Sequence, residues 1–208
     1  MKQIKHTCWV LPKYKMLLLV PYKNGISTMR EQFGSPFETV DFSLYPRYEK
    51  AMIVRDPIVR TISAYNNFFV HTNNNHPLNV FKNVFSDEDF IKYCSNRGKH
   101  LANVNDLNYF INSYIDKVKD IDDHFSKQST VLEQHNITAD DIDIFFSTEK
   151  FYEFENYLKL TKSFKENQTT YTYYSNYSSP IKLLEKNTIN LLKKIYRDDF
   201  DLYKNVKA

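Results

Sequence analysis

Two short stretches of the chain carry side chains able to work on an anion together. The first is Pro21-Tyr22-Lys23-Asn24-Gly25-Ile26-Ser27-Thr28, where a lysine, a glycine and two hydroxyl residues follow the apolar run Met16–Val20. Glycine at such a corner lets the backbone turn tightly and come close to a ligand, and the N–H groups of a helix start point at negative charge. Lys23 adds a point charge, and Ser27 and Thr28 add hydroxyl donors, a set that suits a phosphate or a sulfate. The second stretch is Val54-Arg55-Asp56-Pro57, continuing Arg60-Thr61-Ile62-Ser63-Ala64-Tyr65. Asp56, Arg60 and Ser63 stand at i, i+4 and i+7 and share one helical face, with Arg55 at the strand tip beside it. A guanidinium fork with a hydroxyl suits a second phosphate.

Each stretch alone has a plainer reading. Lys23 and Gly25 can form a solvated turn, Arg55-Asp56 can be a helix cap with an exposed arginine, and Arg60 can pair with Asp56 one turn away. Their joint occurrence at two strand ends favours anion binding. The first stretch is no Walker A loop, which needs a glycine ahead of the Gly-Lys pair and a lysine entering the helix. Here Lys23 precedes Gly25 and no glycine lies upstream.

The elements that must hold these residues follow from pattern. Met16–Val20 and Ala51–Pro57 read as buried strands, being short, apolar and bounded by breakers, and Phe37–Phe42 alternates like a strand. Asp141–Ser147 reads as a late strand, followed by a helix through Leu160. Ser27–Phe33 reads as a helix stopped by Gly34 and Pro36. Asp56 and Pro57 are suited to open another, whose Ile58, Ile62, Tyr65 and Phe69 form one apolar stripe before Asn73–Asn75 and Pro77 break it. Ser86 with Asp87, Glu88 and Asp89 starts a further helix, and Asp106–Val118 is helical. Lys165–Ser179 reads as a loop. Ser179 and Pro180 start a last helix with Ile181, Leu184, Leu191 and Ile195 on its buried side. Strands alternating with helices imply an α/β domain with a mainly parallel sheet, whose ligands bind outside the carboxyl ends of the strands.

Composition bounds the function. A chain of 208 residues suits one domain spanning 1–208, with no internal repeat or linker. A net charge of +3 calls for no polyanionic partner, and the sixteen Tyr and sixteen Phe read as core and surface bulk rather than a base-stacking platform, so no nucleic-acid partner is expected. Cys8 and Cys94 have no metal-like spacing and read as free thiols of a reducing compartment. The apolar run is far too short for a bilayer, and nothing near the start reads as a signal peptide. The expected address is the cytoplasm, without membrane insertion.

The pair "PYKNGIST" and "VRDPIVRTISAY" resembles the sulfotransferases that use 3′-phosphoadenosine 5′-phosphosulfate (PAPS), in the branch that contains carbohydrate sulfotransferases. That resemblance implies a P-loop-like three-layer α/β domain with a central, mainly parallel sheet flanked by helices. In the family the first loop holds the 5′-phosphosulfate, which carries over to Lys23, Asn24, Gly25, Ile26, Ser27 and Thr28. Its Arg-Asp-Pro motif with a serine in the helix holds the 3′-phosphate, which carries over to Arg55 and Ser63 at the family's usual spacing. "DDHFSKQS" is similar to a His-x-x-x-Gln segment of the branch, "FFSTEKFYEF" to its late strand and helix, and "IYRDDFDLY" to its terminal Tyr-x-x-Asp-Phe. The chain departs from the pattern where Tyr22 is inserted between Pro21 and Lys23, and where Ile26 replaces a common hydroxyl. No adenine partner is evident; the Tyr171–Tyr177 stretch is one candidate.

The implied reaction moves a sulfuryl group from PAPS, a co-substrate, to an acceptor hydroxyl, a sugar by branch resemblance. Lys23 would stabilise charge on the bridging oxygen, and no metal is required. A base must take the acceptor's proton. His124 is the first candidate, with His71, His76, Glu31 and Asp41 as rivals, against the plain reading of His124 as a structural histidine. Two other classes compete. An atypical phosphate-loop kinase would need ATP, Mg²⁺ and carboxylates such as Asp141 and Asp143. A non-catalytic binder of sulfated or phosphorylated glycans would use the basic corners without a donor.

Overall fold

The computed structural model describes residues 7–37, 40–69, 78–96, 104–158, 182 and 184–206. It is mixed α/β, with four strands among the described residues: β1 (Cys8–Leu11), β2 (Met16–Leu19), β3 (Glu49–Val54) and β4 (Ile144–Ser147). In chain order the α-helices are α1 (Ile26–Phe33), α2 (Pro57–Phe69), α3 (Asp87–Asn96), α4 (Val104–Val118), α5 (Thr130–Gln134), α6 (Phe151–Tyr157), α7 (Lys186–Ile195) and α8 (Arg197–Lys204). The chain divides into two compact units, one of Met1–Asp56, Lys127–Ser175 and Asp198–Ala208, the other of Pro57–Ser126 and Asn176–Arg197.

The first unit holds the sheet, in the order β1-β2-β3-β4. β1 and β2 pair antiparallel across the turn Pro12–Lys15, where Lys15 takes the left-handed conformation (φ 48°). β3 lies parallel to both β2 and β4, with Leu19 opposite Met52 and Val54 opposite Ser147. Side chains alternate across the pleat, which is why both faces need cover. Met16, Leu18, Ala51, Ile53 and Phe146 pack against Ile26 and Met29 of α1 and Phe154 of α6. Leu17, Leu19, Met52 and Val54 pack against Val131 and Leu132 of α5 and Leu202 of α8. The buried Trp9 indole donates to the Gly34 carbonyl at 2.9 Å, tying the end of α1 to the edge strand.

The second unit is helical and its core is aromatic. The stripe Ile58, Ile62, Tyr65 and Phe69 is buried as its spacing predicts, but Arg60, Thr61 and Ser63 of α2 are buried too. α2 is therefore enclosed beyond one face. Phe69 meets Tyr93 of α3 at 4.8 Å and Phe110 of α4 at 5.2 Å between ring centroids, so much of the unusual Phe and Tyr content is core. Ser86 caps α3, its hydroxyl accepting from the Asp89 N–H at 3.2 Å. The Asp89 carboxylate in turn accepts from the Tyr109 and Tyr114 hydroxyls.

Several elements differ from the sequence reading. Phe37–Phe42 is not a strand among its described residues: Phe37 makes a single bridge to Cys8, and Asp41 caps a 3-10 turn over Phe42–Leu44. The Asp41 carboxylate accepts both the N–H and the hydroxyl of Ser43, a local competition that ends extended structure. β1 escaped the reading because four residues beginning at Cys8 show no periodicity. α7 runs from Lys186 to Ile195 and buries Thr188 and Leu192, leaving Leu191 and Ile195 half-buried. Ser179, Pro180, Ile181, Lys165–Ser179 and Asn73–Pro77 lie outside the described residues.

Candidate functional site

The carboxyl ends of β2, β3 and β4 lie side by side, because all three strands run parallel and in register. Each end delivers one candidate group: Lys23 after β2, Arg55 after β3 and Glu149 after β4. Buried main chain at a strand end must still satisfy its polar groups. Here side chains do that, and in doing so they join the three ends.

After β2 the chain turns so that the Asn24 N–H donates to the Pro21 carbonyl at 3.1 Å. Lys23 adopts φ 69° and Gly25 φ 92°, both in the left-handed region. Such a backbone costs an ordinary L-residue about 1–3 kcal/mol, so neighbours must hold Lys23 there. Arg55 Nη1 donates to the Lys23 carbonyl at 2.9 Å and is one such restraint. Gly25 is the N-cap of α1, and the first bond of the helix runs from Met29 N–H to Gly25 O at 3.0 Å. The N–H groups of Ile26, Ser27 and Thr28 lie ahead of that bond, the usual place for an anion to be met. Ser27 is exposed, Thr28 half-buried and Ile26 buried, so the isoleucine at the hydroxyl position packs into the core.

Asn24 is fully buried, and its side chain faces inward. Its Nδ2 donates to the Ile53 carbonyl at 2.9 Å and to Gln128 Oε1 at 2.6 Å. Gln128, also fully buried, accepts from the Arg55 N–H at 2.9 Å through Oε1 and donates to the Arg55 carbonyl at 2.9 Å through Nε2. The backbone fixes both amide orientations, since an N–H can only donate and a carbonyl only accept. The N–H groups of Gln128 and Ser129 donate in turn to the buried Asp199 carboxylate, at 2.8 and 3.0 Å.

Arg55 is 6% exposed, so its charge needs partners. Besides the Lys23 carbonyl, Nε stands 3.9 Å from Glu149 Oε1. Burial pushes the Glu149 carboxyl above its ordinary range, although its own N–H, Arg55 and the Asp56 N–H favour the charged form. Thr148 ties the ends of β3 and β4, its hydroxyl donating to the Val54 carbonyl at 3.2 Å.

In the second unit Ser63 is buried in α2. His124 is half-buried, with Nδ1 2.8 Å from Asp122 Oδ1 and its ring edge-on to Phe68 at 5.2 Å. With the carboxylate accepting from Nδ1–H, Nε2 carries the lone pair, the arrangement a base requires. Arg60 braces this segment, donating to the Ser126 carbonyl at 2.6 Å and the Asp123 carbonyl at 3.2 Å. That work goes beyond the pairing with Asp56 expected from sequence.

Among the rival bases, Asp41 is the exposed cap already described and Glu31 is exposed on α1, while His71 and His76 lie outside the described residues. Asp141 caps Thr138, and Asp143 accepts the Lys50 N–H at 2.7 Å. Among the described residues no group of three His, Cys, Asp or Glu could hold a metal, and no helix is long and apolar enough to cross a membrane. A cavity of about 830 Å³ near Val40, Lys50 and His135 lies at the opposite, amino end of β3.

Sequence reasoning gave Gln128, Glu149 and Asp199 no role. All three sit in the segments quoted for their resemblance, "DDHFSKQS", "FFSTEKFYEF" and "IYRDDFDLY". Their signal was present, but only the fold shows which strand ends they serve.

The core of this mixed α/β protein seats a lysine-glycine corner beside an arginine at adjacent parallel strand ends. Residues 22–204 match the family described as the sulfotransferase family, and the chain belongs to it. Its reaction class is transfer of a sulfuryl group. No curated protein and no solved structure gave a match.

Proposed function

We propose that the chain transfers the sulfuryl group of PAPS to a hydroxyl, with a carbohydrate as the leading acceptor class from the branch resemblance. The observation that carries this reading is the 2.9 Å bond from Arg55 Nη1 to the Lys23 carbonyl, which sets the two predicted corners side by side. A donor with phosphate at both ends of one adenosine matches two adjacent anion sites better than a ligand with a single charged end.

In this reading residues 1–208 form one P-loop-like three-layer domain. The N–H groups at the start of α1, with Ser27 and Thr28, hold the 5′-phosphosulfate, and Arg55 holds the 3′-phosphate. The acceptor oxygen attacks sulfur in line with the bridging oxygen, the S–O bond to the phosphate breaks, and 3′,5′-ADP leaves. By analogy with phosphoryl transfer the transition state is loose, so positioning and charge stabilisation dominate. Lys23 stabilises the negative charge growing on the bridging oxygen. The acceptor's proton goes to a base; within the second unit His124, with Nδ1 on Asp122, is the candidate for that role.

Turnover of labelled PAPS over a panel of glycans and small hydroxylated compounds tests the reading. Lys23→Ala is expected to lower kcat by about 10²–10³-fold, the usual loss when one preorganised charge stabiliser is removed. Arg55→Ala is expected to raise the donor KM by roughly 10–100-fold, from ~1.5–3 kcal/mol for a charge-assisted bond. Two variants equally active with the native chain would count against it.

A further inference from the structure

We infer that Gln128 is a positioning residue that sets the spacing between the two corners, and so the match to a ligand charged at both ends; this rests on the donor reading above. Its carboxamide touches both corners at once. Oε1 accepts from Asn24 of the β2–α1 loop and from the Arg55 N–H, and Nε2 donates to the Arg55 carbonyl. Asn24 closes the ring onto the Ile53 carbonyl, and Arg55 Nη1 returns to the Lys23 carbonyl. The circuit from Lys23 through Asn24 and Gln128 to Arg55 leaves little freedom to change the separation of loop and strand tip. Gln128 is itself pinned, because Asp199 takes its N–H and that of Ser129.

None of the clamp's side-chain amides needs to touch a ligand. Both Asn24 and Gln128 are fully buried. Removing Gln128 therefore leaves the anion-facing groups of each corner in place and loosens only their separation. A ligand held at one end is indifferent to that, whereas a ligand held at both ends loses the advantage of a preset distance.

Calorimetric titration with 3′,5′-ADP, 5′-AMP and 3′-AMP separates these cases. The native chain is expected to bind 3′,5′-ADP more tightly than either monophosphate. Gln128→Met, close in shape but without the amide, is expected to cut that preference about tenfold, with each monophosphate changing less than about threefold. Gln128→Leu removes the same amide with a different apolar shape and predicts the same selective loss, so the test survives if Gln128→Met does not fold. Equal weakening of all three ligands, or an unchanged preference, in either folded variant overturns the clamp and leaves the donor reading standing. A native chain with no preference for 3′,5′-ADP overturns the donor reading and the clamp with it.

Discussion

Glu149 puts a carboxylate beside the arginine proposed to receive the 3′-phosphate. Charged, it holds Arg55 in place but repels an arriving anion; protonated, it does neither. Because burial raises its pKa, the proton is taken up at a higher pH than an ordinary glutamate would require. Nucleotide affinity should therefore rise as pH falls through that raised value. The ligand's own phosphate gains a proton near pH 6 and works the other way, so the useful quantity is a difference between proteins at one pH. Glu149→Gln is expected to bind 3′,5′-ADP several-fold more tightly than the native chain at pH 8, and the gap should narrow as the pH falls and native Glu149 takes up its proton. A constant gap across that range, or weaker binding by the variant throughout, would refute the role.

The β2–α1 corner depends on two left-handed residues, and Gly25 tests how much the helix start needs that shape. A Cβ there would meet Thr148 Cγ2 at 3.7 Å and Phe151 Cε2 at 3.9 Å, ordinary contacts, so the cost of Gly25→Ala is conformational rather than steric. That cost is about 1–2 kcal/mol, worth roughly 2–8 °C in Tm for a chain of this size. Thermal melts check it; an unchanged Tm would mean that the loop relaxes freely. The elements legible in the sequence were those with breakers at both ends, such as β2 before Pro21 and α2 after Asp56-Pro57. Phe37–Phe42 misled because alternation alone cannot see the Asp41–Ser43 bonds that curl the chain. Lys23, Gly25 and Arg55 could be picked out because their chemistry is local. Gln128 and Asp199 could not, since each acts on backbone groups about 70 residues or more away in sequence.

At the scale of the whole chain, Lys23, the start of α1 and Arg55 all belong to the unit that holds the sheet. A net charge of +3 supplies little general attraction for anions, so the proposed nucleotide recognition rests on the placed groups rather than on a basic field. The kinase alternative asks for different placed groups, and the two carboxylates it would use are occupied with Thr138 and Lys50 backbone N–H groups. One calorimetric comparison on the native chain separates the alternatives: 3′,5′-ADP without metal against ATP with Mg²⁺. The account predicts saturable one-to-one binding of 3′,5′-ADP that exceeds that of ATP–Mg²⁺. Preference for ATP–Mg²⁺, or no binding of 3′,5′-ADP, would contradict it.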